Sequence, residues 1–139
     1  MKVTTRNNLL VGAAAIGASV LMVLFPFAVM IRSLERPFDQ FSGAIVHHRY
    51  DEAYKQCGSV YRQAMSYDQF VQYYSSLEKQ FGPLKSYKRG GLEVTARSFP
   101  PLWRGVMDAE FVYEKKTLGF EFVFHKEGDR WVIFRVEEL

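Results

Sequence analysis

The stretch Ser66–Pro83, SYDQFVQYYSSLEKQFGP, marks the point where the chain changes its periodicity. Ser66 and Gln69 have the S-x-x-Q spacing of a capping box, in which hydroxyl and carboxamide each satisfy an orphan N–H of the first helical turn. Tyr67, Phe70, Tyr74, Leu77 and Phe81 then recur at helical spacing on one apolar face. Gly82 supplies the left-handed cap, and Pro83 forbids continuation. Beyond Pro83 the apolar period falls from that of a helix to that of a strand.

Downstream, strands are expected over Leu92–Phe99, Val106–Glu114, Thr117–His125 and Arg130–Glu137, the first ended by Pro100-Pro101. Gly90-Gly91 reads as a turn. The short connections Lys115-Lys116 and Lys126-Glu127-Gly128-Asp129 imply antiparallel hairpins. Alternation puts Ala109, Phe111, Tyr113, Leu118, Phe120, Phe122 and Phe124 on one face, an aromatic surface for helices to cover. Upstream, Pro37 suits a first helical turn, followed by Phe38, Phe41, Ile45 and His48 at helical spacing. Tyr50, Tyr54, Cys57 and Tyr61 form a second pattern that Gly58 ends or bends. Helices first and a strand meander after them read as α+β, about three helices on one face of a curved antiparallel sheet of about four strands.

This domain, residues 32–139, is preceded by a basic tail, 1–8, and by about 23 uncharged residues from Leu9 to Ile31. At about 1.5 Å per residue that run spans roughly 34 Å, enough to cross a bilayer as a single transmembrane helix. A secretory signal peptide has a shorter apolar core and a small-x-small cleavage site. Here the run ends in bulky residues, Phe27 to Ile31, so it reads as a retained anchor. The short tail carries Lys2 and Arg6 and no acid, which places the N-terminus in the cytoplasm and the domain outside, in the periplasm of a Gram-negative host. Ala13 and Gly17, Ala14 and Ala18, and Ala15 and Ser19 are small residues four apart, the spacing that lets a second membrane helix approach closely. Pro26 is expected to kink the anchor.

Of the 18 Lys and Arg, 16 lie beyond Ile31 against all 15 acids, so the domain is close to neutral. The sequence pI near 9.0 is therefore no nucleic-acid signature. The charges are unevenly placed: Lys79, Lys85, Lys88, Arg89, Arg97 and Arg104 precede a run of acids from Asp108 to Glu138. The basic stretch reads as a solvated surface, with anionic headgroups or an acidic partner as the functional alternative. Cys57 is the only cysteine, a small buried hydrophobe in an apolar stripe.

The element order, the Tyr50-x-x-x-Tyr54 helix, the capped helix ending Phe81-Gly82-Pro83-Leu84 and the final Gly128-Asp129-Arg130-Trp131-Val132-Ile133 strand together resemble a known architecture. It is the nuclear-transport-factor-2-like (cystatin-like) cone fold, in its branch of small bacterial envelope domains. The resemblance spans Phe38 to Leu139. A second resemblance is to membrane-anchored assembly factors of cytochrome oxidase, which also place an α+β domain after one N-terminal helix. Both imply architecture and bring no catalytic residue to this chain.

Chemistry-bearing patterns are sparse. His47 and His48 are neighbours and point about 100° apart on a helix, so they do not grip one ion together. His125 has no HExxH or paired cysteine near it, so no metal and no cofactor is expected. Cone-fold enzymes use a carboxylate and a tyrosine inside an apolar cavity. Here Asp108, Glu110 and Glu121 fall opposite the Phe face, with Arg135 in reach across strands, and read as surface ion pairs.

Two functions from different classes remain. The first is a non-enzymatic accessory or assembly subunit that docks on a larger membrane complex or self-associates. Its contacts would come from Ala13 and Gly17 in the anchor and from Val112, Val123, Trp131 and Ile133, expected together on the acid-bearing face of the sheet. The second is a tethered binding domain for a lipid or small hydrophobic molecule, with Tyr54, Tyr61, Phe111, Phe120 and Phe122 lining an apolar cone-shaped pocket.

Overall fold

The computed structural model describes residues 5–98 and 102–139, with side chains described from Phe25 onward apart from Phe27. The chain divides into two compact units, Met1–Ser33 and Leu34–Leu139. Helix α1 (Thr5–Val46) contributes to the first unit up to Ser33 and to the second from Leu34. Among the described residues no helix is long and apolar enough to cross a membrane. The expected span Leu9–Ile31, with Ala13 and Gly17, falls mostly on residues whose side chains lie outside those described.

The second unit is α+β, with helices preceding a four-stranded antiparallel sheet in the order β1-β2-β3-β4. Pro37, expected in a first helical turn, lies inside α1, where it forfeits one backbone hydrogen bond and is buried. The end of α1 is a Schellman cap: Arg49 N–H donates to the Ala44 carbonyl at 2.8 Å and His48 N–H to that of Ile45 at 3.0 Å. His48 takes the left-handed position, φ 57°, that glycine usually fills. Its side chain therefore leaves the apolar face on which it was expected and is exposed, with Nε2 2.6 Å from Glu78 Oε2.

The helix expected over Tyr50–Tyr61 is two, α2 (Tyr50–Lys55) and α3 (Ser59–Ala64). Between them the backbone runs alongside β4. Ile133 N–H donates to the Gln56 carbonyl at 2.9 Å, and Gly58 N–H to the Ile133 carbonyl at 2.8 Å. Ser59 N–H and Oγ both donate to Glu127 Oε1, at 2.7 and 2.8 Å. Helix α4 (Tyr67–Phe81) forms as its sequence dictates: Ser66 and Gln69 make the reciprocal capping box, and Gly82 ends the helix at φ 81°.

Strand β1 (Leu84–Arg97) begins eight residues before its expected start at Leu92 and runs through Gly90-Gly91. The expected turn is instead a register shift against β2 (Leu102–Tyr113), between Arg89 and Leu92. Strands β3 (Thr117–Glu127) and β4 (Arg130–Glu138) complete the meander, joined at Gly128-Asp129. Pairing of β3 with β4 shifts by one residue after Val123: Val123 faces Arg135, Phe124 faces Ile133, and Phe134 is left over. That extra residue inverts the alternation of β4. Trp131 and Ile133 consequently lie on the same face as Phe124, beneath the helices, and are 2% and 0% exposed. They were expected on the acid-bearing face, and the bulge is the reason they are not there.

The core lies between this sheet and the helices. Phe122 is its centre: the Phe38 ring meets it edge-on at 5.0 Å, Phe41 at 5.5 Å, and Phe111 and Phe124 pack at 6.1 and 6.2 Å. Phe41 also touches Phe70 and Tyr74 of α4, both at 5.9 Å. At one end of the sheet the start of the unit packs tightly: Leu34 lies on Gly105, where any Cβ would overlap Leu34 Cδ1.

Truncating the central ring tests this account. Phe122→Ala removes every one of these edge contacts and leaves a cavity no neighbour fills, so it is expected to cost about 3–5 kcal/mol. Urea melts of wild type and variant measure it. A loss below about 1 kcal/mol would mean that the core is loosely packed at its centre.

Candidate functional site

The residues expected to line a hydrophobic pocket are packed core. Phe111, Phe120 and Phe122 are 0–1% exposed and in ring contact with one another. Tyr61 is also buried; its hydroxyl reaches Met65 Sδ at 3.6 Å. The Tyr54 hydroxyl donates to the Met65 carbonyl at 2.8 Å, which fixes the turn between α3 and α4. The cavity of the cone-fold reading is thus occupied by rings at these positions. On the outer face Val112 is half-buried and Val123 is 1% exposed between Val106 and Arg135. Of the four expected sheet contacts, Val112 alone presents appreciable surface. Asp108 and Glu110 are exposed, and Arg135 pairs with Glu121 at 3.6 Å and Glu137 at 3.2 Å, the surface ion pairs expected of that face.

Two buried groups are chemically quiet. Burial pushes the Cys57 thiol up to about 12 despite the nearby Arg62 charge, so it holds no thiolate at neutral pH. Burial likewise raises the Tyr113 hydroxyl, with Tyr73 and Glu78 adding to the shift. Among the described residues no group of three His, Cys, Asp or Glu is placed to hold a metal ion.

The sheet does build one mixed site on its surface. At the end where β1 joins β2 and β3 joins β4, a groove of about 520 Å³ is lined by Arg97, Leu102, Trp103, Arg104, His125, Lys126 and Phe134. The register explains the assembly. Arg97 pairs with Leu102, and Arg104 with His125. The bulge residue Phe134 stacks on the His125 ring at 4.0 Å and 16°. Lys126 Nζ lies 5.5 Å from the Trp131 ring centroid, a cation–π contact. Burial, and after it the Arg104 guanidinium, hold the His125 imidazole below its ordinary value of 6.5, so it is neutral at pH 7. The groove therefore offers three cations, one neutral imidazole and apolar surface, with no carboxylate among the described residues of its lining.

Arg97 and Arg104 stood out in the sequence only as members of a basic stretch, and His125 only as a histidine without companions. Trp103 and Phe134 carried no signal, because Phe134 enters the groove through a bulge that no residue in β4 announces. No protein-family model and no curated protein matches the chain.

Removing the Arg104 charge should release the imidazole from one of its two perturbations. In Arg104→Gln the neighbouring positive charge no longer disfavours the imidazolium, so the His125 titration moves upward toward 6.5, followed by NMR of the ring protons. An unchanged or lower midpoint would show that Arg104 does not act on His125.

Proposed function

We propose that this chain is a single-pass accessory or assembly subunit that docks on a larger membrane protein complex, with Leu9–Ile31 as its anchor. The observation that carries the reading is the spacing of two features. The uncharged run ends at Ile31, and the compact fold of the domain begins at Leu34. A domain joined that closely to an anchor stays at the bilayer surface, where a membrane partner is found. The small-residue pairs around Ala13 and Gly17 give the anchor a face for another helix. The ring-filled core favours this over the alternative of a hydrophobic-ligand carrier, because function then falls to the surface. The helices-then-meander order supports the cone-fold resemblance as the domain's architecture, with a curved sheet. The short basic tail supports a cytoplasmic N-terminus and a domain on the far side of the membrane.

Two experiments test this reading. Extraction in mild detergent followed by native electrophoresis should show the chain in a species much larger than its monomer. Migration as a free monomer in every mild detergent would overturn the docking reading. Topology is read with Asp129→Cys at the exposed β3–β4 turn, in otherwise native sequence, since the buried Cys57 thiol stays silent. A membrane-impermeant maleimide should label the introduced thiol in intact spheroplasts. Labelling only after lysis would place the domain in the cytoplasm.

A further inference from the structure

We propose that the Arg97–Phe134 groove is a seat for the phosphate headgroup of an anionic phospholipid, by which the domain is held against the membrane it is tethered to. The proposal rests on the tether argued above and assigns a ligand to a surface that the docking reading leaves unused.

The state of the cations comes first. Several cations elsewhere on the domain are matched: Arg89 by Glu35 at 2.7 Å and Asp39 at 3.8 Å, Lys85 by Glu114 at 3.7 Å, Arg135 by Glu121 and Glu137. Among the ion pairs of the described residues, none involves Arg97, Arg104 or Lys126. Three cations around one groove, with no carboxylate among the described residues of its lining, raise the local potential for an anion. The guanidinium forks suit the paired oxygens of a phosphate.

Apolar surface at the same place narrows the choice of anion. Leu102 is 70% exposed and sits beside the half-buried Trp103, with Phe134 across the groove. A free phosphate or an acidic side chain gains nothing from an exposed leucine and an indole beside its cations. A phospholipid does, because its headgroup phosphate lies within a few ångströms of its acyl region. Tryptophan with arginine and lysine is the residue set of membrane interfaces.

Chain connectivity puts the groove within reach. Leu34 packs on Gly105, the residue after Arg104. Only Arg32 and Ser33 separate Ile31, the last residue of the apolar run, from Leu34, three Cα steps that span at most about 11 Å even when extended. The headgroup layer on each side of the hydrocarbon is itself roughly 5–7 Å thick. The strand that carries Arg104 and Trp103 is thereby tied close to the bilayer surface whatever the conformation of the connection. His125, neutral and stacked on Phe134, adds a hydrogen-bonding group to the groove without adding charge.

The test uses the full chain in nanodiscs of phosphatidylcholine alone or with about a third phosphatidylglycerol. The chain has two tryptophans, and Trp131 is buried, so acrylamide quenching reports chiefly on Trp103. Quenching should be weaker in the anionic discs. That difference should be lost in Arg97→Gln/Arg104→Gln and kept in Lys115→Gln, an exposed lysine at the opposite end of the sheet. On anionic vesicles, each of the two arginine substitutions should weaken partition about fivefold. Equal quenching in both discs, or a difference that survives the arginine double substitution, overturns the headgroup seat while leaving the tether intact. Protection by millimolar inorganic phosphate or by polyglutamate in the neutral discs, to the same extent as by phosphatidylglycerol, also overturns it, in favour of a soluble anion or an acidic partner. Failure of the chain to enter either disc overturns the tether instead. The groove is then read by sedimentation with anionic vesicles, where loss of arginine dependence overturns the headgroup seat on its own.

Discussion

The Phe122 ring is the point on which helices and sheet agree. It projects from the middle of β3, receives the edges of Phe38 and Phe41 from α1, and packs against Phe111 and Phe124 in its own sheet. Edge-to-face pairs have narrow geometric preferences, so several of them on one ring fix the rotation of α1 as well as its distance from the sheet. Once α1 is set, Phe41 sets α4 through Phe70 and Tyr74, and Leu34 is pressed onto Gly105. A core filled this way puts buried rings at the positions a ligand pocket would need, and the groove of mixed lining lies at the rim of the sheet.

Much of this was legible because its causes are local. The capping box of Ser66 and Gln69, the Gly82 stop and the hairpin at Lys115-Lys116 each need only a few adjacent residues, and each forms where the pattern put it. The Phe face followed from strict alternation in β2 and β3. What stayed hidden depends on partners distant in sequence. Gly90-Gly91 has the composition of a turn, yet pairing with β2 carries β1 straight through it. Tyr50 to Tyr61 has one helical stripe, yet Gln56 and Gly58 give their backbone groups to Ile133. Tertiary hydrogen bonds outweigh a local preference worth only tenths of a kcal/mol per residue.

The bulge at Phe134 shows why the site was the least legible part. A single unpaired residue reverses every side chain before it relative to those after it. Trp131 and Ile133 move into the core, Arg135 and Glu137 stay outside, and Phe134 is freed to stack on His125. One irregularity thus adds to the core and builds the groove. Nothing in the composition of WVIFRV marks which residue will be skipped, because the choice is made by the register of β3.

The pairing of Gln56–Gly58 with Ile133 has a further consequence for how copies of this domain meet. A sheet has two borders, and each is a template on which a stray strand can be added. At β4 part of that template is already taken by the chain's own segment, and Glu127 is tied down by Ser59. The other border, β1, is guarded differently: Lys85, Lys88, Arg89 and Glu93 crowd it with charge, and the irregularity at Gly90-Gly91 breaks the regular ladder a newcomer would copy. Wherever copies of the domain meet at high local concentration, such guarding separates a discrete fold from runaway strand-to-strand polymerisation.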